Sequence, residues 1–431
     1  MRVVYLAAGA AGMYCGSCLR DNRLVATLRA QGRDVTLMPL YTPIRTDEHD
    51  VSERRVFYGG VNVYLQQKSA LFRALPRVLD RVLDSPRLLR GLTRLAASTR
   101  PEGLGAMTVS VLRGEDGLQR KEAERLLCEL RGRRPQIVNL PNLFFAGIAR
   151  KLKTELGCRV VCTLSGEDLF LDALPQPYRA QASDLIRARA ADVDAFVAVT
   201  RYFADYSVAR FGLPPEAVHH VPMGVAVEDL HAAVVGAKKD APFTIAYLAR
   251  VCPEKGLLRL VEALAVLRGS GSDCRVRAAG WLGAGDRSYF ELVRRFVQKN
   301  DLSDRFDYLG EVDRRGKAQL LQSAHVLSVP TAYHEAKGLY VLEALAAGVP
   351  VVQPRHGAFP ELVDDTGGGL LYDPADVDAL PAALMRLMND EPLRARLAAR
   401  GRAAVAEKFT ATVMAERTWA LYEALVASRP S

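Results

Sequence analysis

The stretch SVPTAYHEAKGLYVLEALAAGVPVVQPRHGAFPEL, Ser328 to Leu362, decides how this chain is read. It predicts a strand ending near Pro330, a loop carrying Glu335, an apolar helix from Gly338 closed by Gly348, and a second strand from Val349 to Gln353. In such a unit the loop leaving the first strand and the free N–H groups at the helix start face one crevice, which suits an anionic ligand. Two carboxylates frame that crevice, Glu335 just ahead of the helix and Glu343 on its second turn. Acids beside a phosphate repel it, so their natural targets are sugar hydroxyls. An ordinary buried βαβ unit explains a capping Glu at 335. It does not explain Glu343 inside the apolar run LYVLEALAAG, where an unpaired charge is costly.

A second diagnostic stretch lies upstream, where the strand Phe243 to Leu248 runs into the loop ARVCPEKG and a helix from Leu257 to Leu267. Arg250 and Lys255 on that loop put two cations beside a helix N-terminus, a suitable clamp for a leaving diphosphate. Taken alone, the loop reads equally well as a surface turn whose cations face water.

A Glu, seven residues, a second Glu and then EALAAGVPVV, together with Arg250, Lys255 and Gly256, resemble the family 4 glycosyltransferases. The resemblance implies the GT-B architecture, an α/β fold of two Rossmann-like doubly wound domains facing each other across a cleft. It implies retaining, metal-independent transfer from a nucleotide sugar, expected to be UDP-linked, with no cofactor beyond that co-substrate. On the family's pattern Glu335, Arg250 and Lys255 are the catalytic group. Donor contacts fall on Gly12, Arg250, Lys255, Glu335, Lys337, Gly338, Leu339 and Glu343, with Glu343 at the ribose and Glu335 at the sugar hydroxyls. Many relatives also carry a His at the end of a strand beside the sugar. This chain has TLSGEDLF there, so Ser165, Glu167 and Asp168 are the acceptor-side candidates.

Length and composition fit that expectation. At 431 residues the chain is too long for one ordinary core, and two domains of roughly 200 residues each are expected. Residues 1–231 form the first, on the acceptor side, and residues 241–408 the second, on the donor side. A polar connection joins them, and residues 409–431 form a final helix returning to the first domain. A hydrophobic content of 49% fits an α/β enzyme. No apolar run approaches the ~20 residues that cross a bilayer. Strands are expected at Arg2 to Leu6, Asp34 to Met38, Val56 to Leu65, Gln136 to Leu140, Arg159 to Leu164, Ala195 to Val199 and Val218 to Pro222. With helices between them they imply a mostly parallel sheet covered on both faces. The second half adds strands at Cys274 to Ala279, Phe306 to Leu309 and Val326 to Pro330.

The opening MRVVYLAAGAAGMYC reads as a first strand and a glycine-rich turn, because Met13 and Tyr14 are too bulky for a lipoprotein cleavage site. Seven cysteines without a regular framework point to a reducing compartment, so a cytoplasmic protein is expected. Cys15-Gly-Ser-Cys18 lacks the two further ligands zinc needs, and small residues lining a tight ligand loop are the simpler account. No carboxylate pair at a strand end reads as a metal site. His334 and His356 are candidate neighbours of the donor, whereas His219, His220 and His325 read as residues in strands or at their ends.

The net charge of +9 is unevenly placed. Between Lys68 and Arg100 lie eight Lys or Arg and only two acids, Asp80 and Asp84, among leucines at helical spacing. Two readings stand: an amphipathic surface docking peripherally on anionic lipid at the inner face of a membrane, or helices packed by their leucines with arginines in water. No nucleic-acid-reading motif accompanies the charge. The acceptor is left open among lipid, polysaccharide and small molecule. A non-catalytic sugar-nucleotide-binding protein, or a phosphorylase or epimerase on the same fold, are the alternative functions.

Overall fold

A computed structural model of the chain describes residues 1–9, 14–59, 63, 66, 67, 103–227 and 242–428. Gly12, the 232–240 connection and the basic segment 68–100 lie outside the described residues. The chain divides into two compact units, Met1–Pro222 with Ala411–Ser431, and Met223–Thr410.

The first unit is built on six strands: β1 (Arg2–Ala7), β2 (Asp34–Pro39), β3 (Ile137–Leu140), β4 (Arg159–Thr163), β5 (Ala195–Ala198) and β6 (Val218–His220). They lie in the order β2-β1-β3-β4-β5-β6, every pair parallel. Residues 3–7 of β1 are buried on both faces of the sheet, which is why RVVYLA is a continuous apolar run rather than an alternating one. Helix Gly16–Ala30 covers one face through Leu24, Val25 and Leu28. The final helix, Ala411–Ala427, packs on the same cluster through Met414, Ala415, Trp419 and Tyr422. Its Tyr422 hydroxyl donates to Asn139 Oδ1 at 3.0 Å, and the Leu425 carbonyl accepts from Arg159 Nε at 3.1 Å.

A strand expected over Val56 to Leu65 is not formed by the described residues. Phe57 makes an isolated bridge to Leu40, and Val63 is helical. The physical reason is local: Tyr58 has φ of 52°, a left-handed conformation that breaks an extended run. Its ring is buried edge-on against Phe145, with centroids 5.6 Å apart.

The second unit repeats the plan with β7 (Phe243–Leu248), β8 (Cys274–Ala279), β9 (Phe306–Tyr308), β10 (Val326–Leu327), β11 (Val351–Pro354) and β12 (Gly369–Tyr372). Their order is β12-β11-β10-β7-β8-β9, again all parallel. Strand β7 comes first in sequence but sits in the middle, with β8 on one side and β10 on the other. The order of connection therefore reverses between β7 and β10. At such a switch point two loops leave neighbouring strands in opposite senses and open a crevice at the carboxyl ends.

Candidate functional site

Strands β7 and β10 are paired, Val326 with Ile245 and Leu327 with Ala246, so the loops that leave them emerge side by side. One carries Arg250 and Lys255, the other Glu335. Their backbones are tied together: the Ala332 N–H donates to the Glu254 carbonyl at 2.8 Å. Gly256 is required at this junction. Its φ is 74°, and a β-carbon there would lie 2.0 Å from the Pro330 carbonyl oxygen.

The two loops bring the two sequence motifs into direct contact. Lys255 Nζ lies 2.6 Å from Glu335 Oε2, across 80 residues of sequence. Two tyrosines complete the cluster. Tyr333 accepts from Lys255 Nζ at 2.6 Å and donates to Glu335 Oε2 at 2.8 Å, and Tyr340 donates to the same oxygen at 3.0 Å. Among the described residues the other oxygen, Oε1, accepts only the Lys337 N–H, at 3.3 Å.

Burial by itself would raise the Glu335 pKa. The positive charge and hydrogen bond of Lys255, the Tyr333 hydroxyl and the charge of Lys337 outweigh it and hold the carboxyl at about 2. The hydroxyls of Tyr333 and Tyr340 are pushed the other way, first by burial and then by the Glu335 charge, so both remain protonated donors.

Glu343 has its own partner. Helix Leu339–Ala346 buries every side chain, and Glu343 Oε1 meets Lys317 Nζ, from helix Arg314–Gln322, at 2.7 Å. Both are largely withdrawn from solvent, Glu343 at 5% exposure and Lys317 at 9%. Lys317 was missed in the sequence, where it is one cation in a polar helix.

Arg250 borders the cluster instead of joining the ion pair. Its Nε donates to Cys252 Sγ at 3.3 Å, its Nη2 lies 3.8 Å from Glu254, and its charge reaches Tyr333. Gly338, with φ of 68°, turns the chain into the helix, and no side chain caps that helix start. The loop after β11 closes on the site from another side. The Ala358 N–H donates to the Glu335 carbonyl at 2.8 Å, and the His356 and His334 rings are 5.0 Å apart. His325 instead accepts the Thr244 N–H through Nδ1 at 2.9 Å, inside the sheet.

In the first unit, Ser165 and Glu167 are occupied with loop structure. Ser165 Oγ donates to the Pro141 carbonyl at 3.0 Å, and the buried Glu167 carboxylate accepts the N–H groups of Ser165 at 2.9 Å and Leu143 at 3.2 Å. Asp168, in the first turn of a short helix, is half-buried, and burial raises its pKa. Cys15 precedes helix Gly16–Ala30 and Cys18 is buried in the core below it. Among the described residues no three His, Cys, Asp or Glu side chains group as a metal site would require.

Comparison with known proteins gives the family. Residues 109–229 match the model of Glycosyltransferase Family 4, and residues 232–404 match that of Glycosyl transferases group 1. The chain belongs to the family 4 glycosyltransferases. This glycosyltransferase is 27% identical over 292 residues to the GDP-mannose-dependent monoacylated alpha-(1-6)-phosphatidylinositol monomannoside mannosyltransferase of Corynebacterium glutamicum. That match covers 64% of this chain and 72% of the relative. It is 32% identical over 211 residues to the phosphatidyl-myo-inositol mannosyltransferase of Mycobacterium leprae, covering 48% of this chain and 54% of that one. The match therefore spans about half the length of the second relative. Sucrose-phosphate synthase from Thermosynechococcus elongatus has the same fold, with a TM-score of 0.72 at 19% identity over the full length of both chains. The fold is GT-B, and the chain is a hexosyltransferase-type enzyme that uses a sugar-nucleotide donor.

Proposed function

We propose that this glycosyltransferase moves a mannosyl group from GDP-mannose to a hydroxyl of an inositol-lipid acceptor, retaining the anomeric configuration and using no metal ion or further cofactor. The observation that carries the reading is the Lys255–Glu335 contact at the β7/β10 switch point, one cation and one carboxylate where a sugar diphosphate binds in open α/β sheets. Departure of the diphosphate is the hard step. Arg250, Lys255 and the uncapped start of helix Leu339–Ala346 supply positive potential for the charge it develops. Glu335 takes sugar hydroxyls and Glu343 the ribose, as the family resemblance implies, and Lys337, Gly338 and Leu339 offer backbone N–H groups between them. Both relatives are named mannosyltransferases, and the name of the Corynebacterium glutamicum relative favours GDP-mannose over the UDP-linked donor expected from the family resemblance. Gly12 and the basic segment 68–100 lie outside the described residues; the first is assigned to the donor, the second to contact with anionic lipid at the cytoplasmic face of a membrane. Among the described residues no helix is long and apolar enough to cross a membrane.

A donor panel tests this reading. The purified enzyme with GDP-mannose, UDP-glucose and ADP-glucose, with and without phosphatidylinositol vesicles and with and without EDTA, should release GDP from GDP-mannose. Vesicles should speed release and EDTA should leave it unchanged. Tight binding of a sugar nucleotide with no release would support a sensor instead, a reading favoured by Ser165, which cannot take up a proton as a base at neutral pH and whose hydroxyl donates to the Pro141 carbonyl.

A further inference from the structure

Glu335 Oε2 receives three donors, from Lys255, Tyr333 and Tyr340, although one carboxylate oxygen has room for about two lone-pair contacts. The three are not equivalent. Lys255 is a flexible cation that a diphosphate can recruit. The two tyrosines are held, Tyr340 on a buried helix and Tyr333 on the loop laced to residue 254. They also flank the lysine, whose Nζ lies 5.0 Å from the Tyr333 ring centroid and 5.2 Å from that of Tyr340.

We propose that Tyr333 and Tyr340 are positioning residues that keep Glu335 oriented, with Oε1 turned to the donor sugar, once the diphosphate has drawn Lys255 away from Oε2. The inference rests on the sugar-nucleotide reading of this site and adds to it two residues to which the sequence motifs assign no role. Without the tyrosines, departure of Lys255 would leave a buried carboxylate oxygen with no donor, and the side chain would rotate to find one. With them, the carboxylate stays where it is and the lysine is free to change partners. The two hydroxyls differ in one respect. Among the described residues the Tyr340 hydroxyl hydrogen-bonds only to Glu335, whereas that of Tyr333 also accepts from Lys255 and so positions both members of the pair.

The test uses GDP-mannose and UDP-glucose turnover together with calorimetric binding of GDP, which carries no sugar. Tyr340→Phe should lower kcat by roughly 10- to 100-fold, the cost of one hydrogen bond to a charged group, with GDP affinity within twofold of wild type. Tyr333→Phe should lower both. In a Glu335→Gln background, Tyr340→Phe should add less than about a threefold loss, because it acts through that carboxylate. A tyrosine that merely supports the fold would lower the melting temperature and GDP affinity together, and its effect would multiply with that of Glu335→Gln. Such a result overturns the proposal, as does wild-type kcat in Tyr340→Phe while Glu335→Gln is inactive. A wild-type enzyme releasing nucleotide from neither donor would instead overturn the underlying functional reading and this inference with it.

Discussion

Lys317 Nζ and Glu343 Oε1 are 2.7 Å apart, and the pair is nearly closed to solvent. It explains how the apolar sequence LYVLEALAAG tolerates a carboxylate: the charge is neutralised by a helix that precedes it by some twenty residues in sequence. Lys317→Met removes that compensation. A loss of about 3–5 kcal/mol is expected from breaking a buried pair, read as a lower urea midpoint, and Lys317→Met combined with Glu343→Gln should recover much of it. A double variant no more stable than Lys317→Met would show that the pair is not what holds this helix.

Glu335 gives the site a dependence on acid. Its folded pKa of about 2 lies below the ordinary carboxylate value near 4.5, so the stabilisation it contributes is complete above about pH 4.5 and is lost as pH falls toward 2. Glu335→Gln should lose less stability than wild type between pH 5 and pH 3, in chemical unfolding followed at each pH. At pH 7 the same variant should turn over at least about 100-fold more slowly while keeping its circular dichroism spectrum, since the shape remains and the charge is gone. Parallel stability curves for the two proteins from pH 5 to pH 3 would contradict the ion-pair account.

Gly256→Ala should disturb the lysine without touching it. The new methyl would press on the Pro330 carbonyl at 2.0 Å, and the residue would be held at a positive φ that Ala resists. Destabilisation of about 1–3 kcal/mol and weaker GDP binding are expected. Gly32→Ala, at a similar positive φ but with nothing within 4 Å of a new β-carbon, should cost less stability and leave GDP binding alone. Equal effects of the two substitutions on GDP affinity would remove the argument that Gly256 serves the site.

Vesicle flotation addresses the basic segment. Replacing Arg73, Arg77, Arg81, Arg87, Arg90 and Arg94 by Gln should reduce binding to vesicles rich in phosphatidylserine at low salt and leave neutral vesicles unaffected. No flotation of the wild-type protein on anionic vesicles would end the membrane assignment.

Much of the fold could be read from the sequence because most of its strands are short apolar runs. Phe243–Leu248 and Cys274–Ala279 form with the limits expected of them. The site was legible in part. Lys255 and Glu335 could be named because each sits in a recognisable local pattern, but nothing local states that they touch. Their contact follows from β7 pairing with β10, which is a property of the sheet order. Lys317, Tyr333 and Tyr340 went unremarked for the same reason, since an isolated Lys or Tyr acquires meaning only from the side chain opposite it. Over the described part of Val56 to Leu65 the expected strand gives way because the positive φ at Tyr58 answers to packing against Phe145, which no local pattern announces.

The ends of the second unit meet. The Val225 N–H donates to the Phe409 carbonyl at 2.8 Å, and Val225 bridges Thr410. A stretch whose entrance and exit are stitched together has the geometry of a cassette: residues 223–410 are expected to fold when produced alone and to tolerate new termini placed elsewhere by circular permutation. The first unit has no such freedom, because residues 1–222 alone would leave bare the surface that Trp419 and Tyr422 cover.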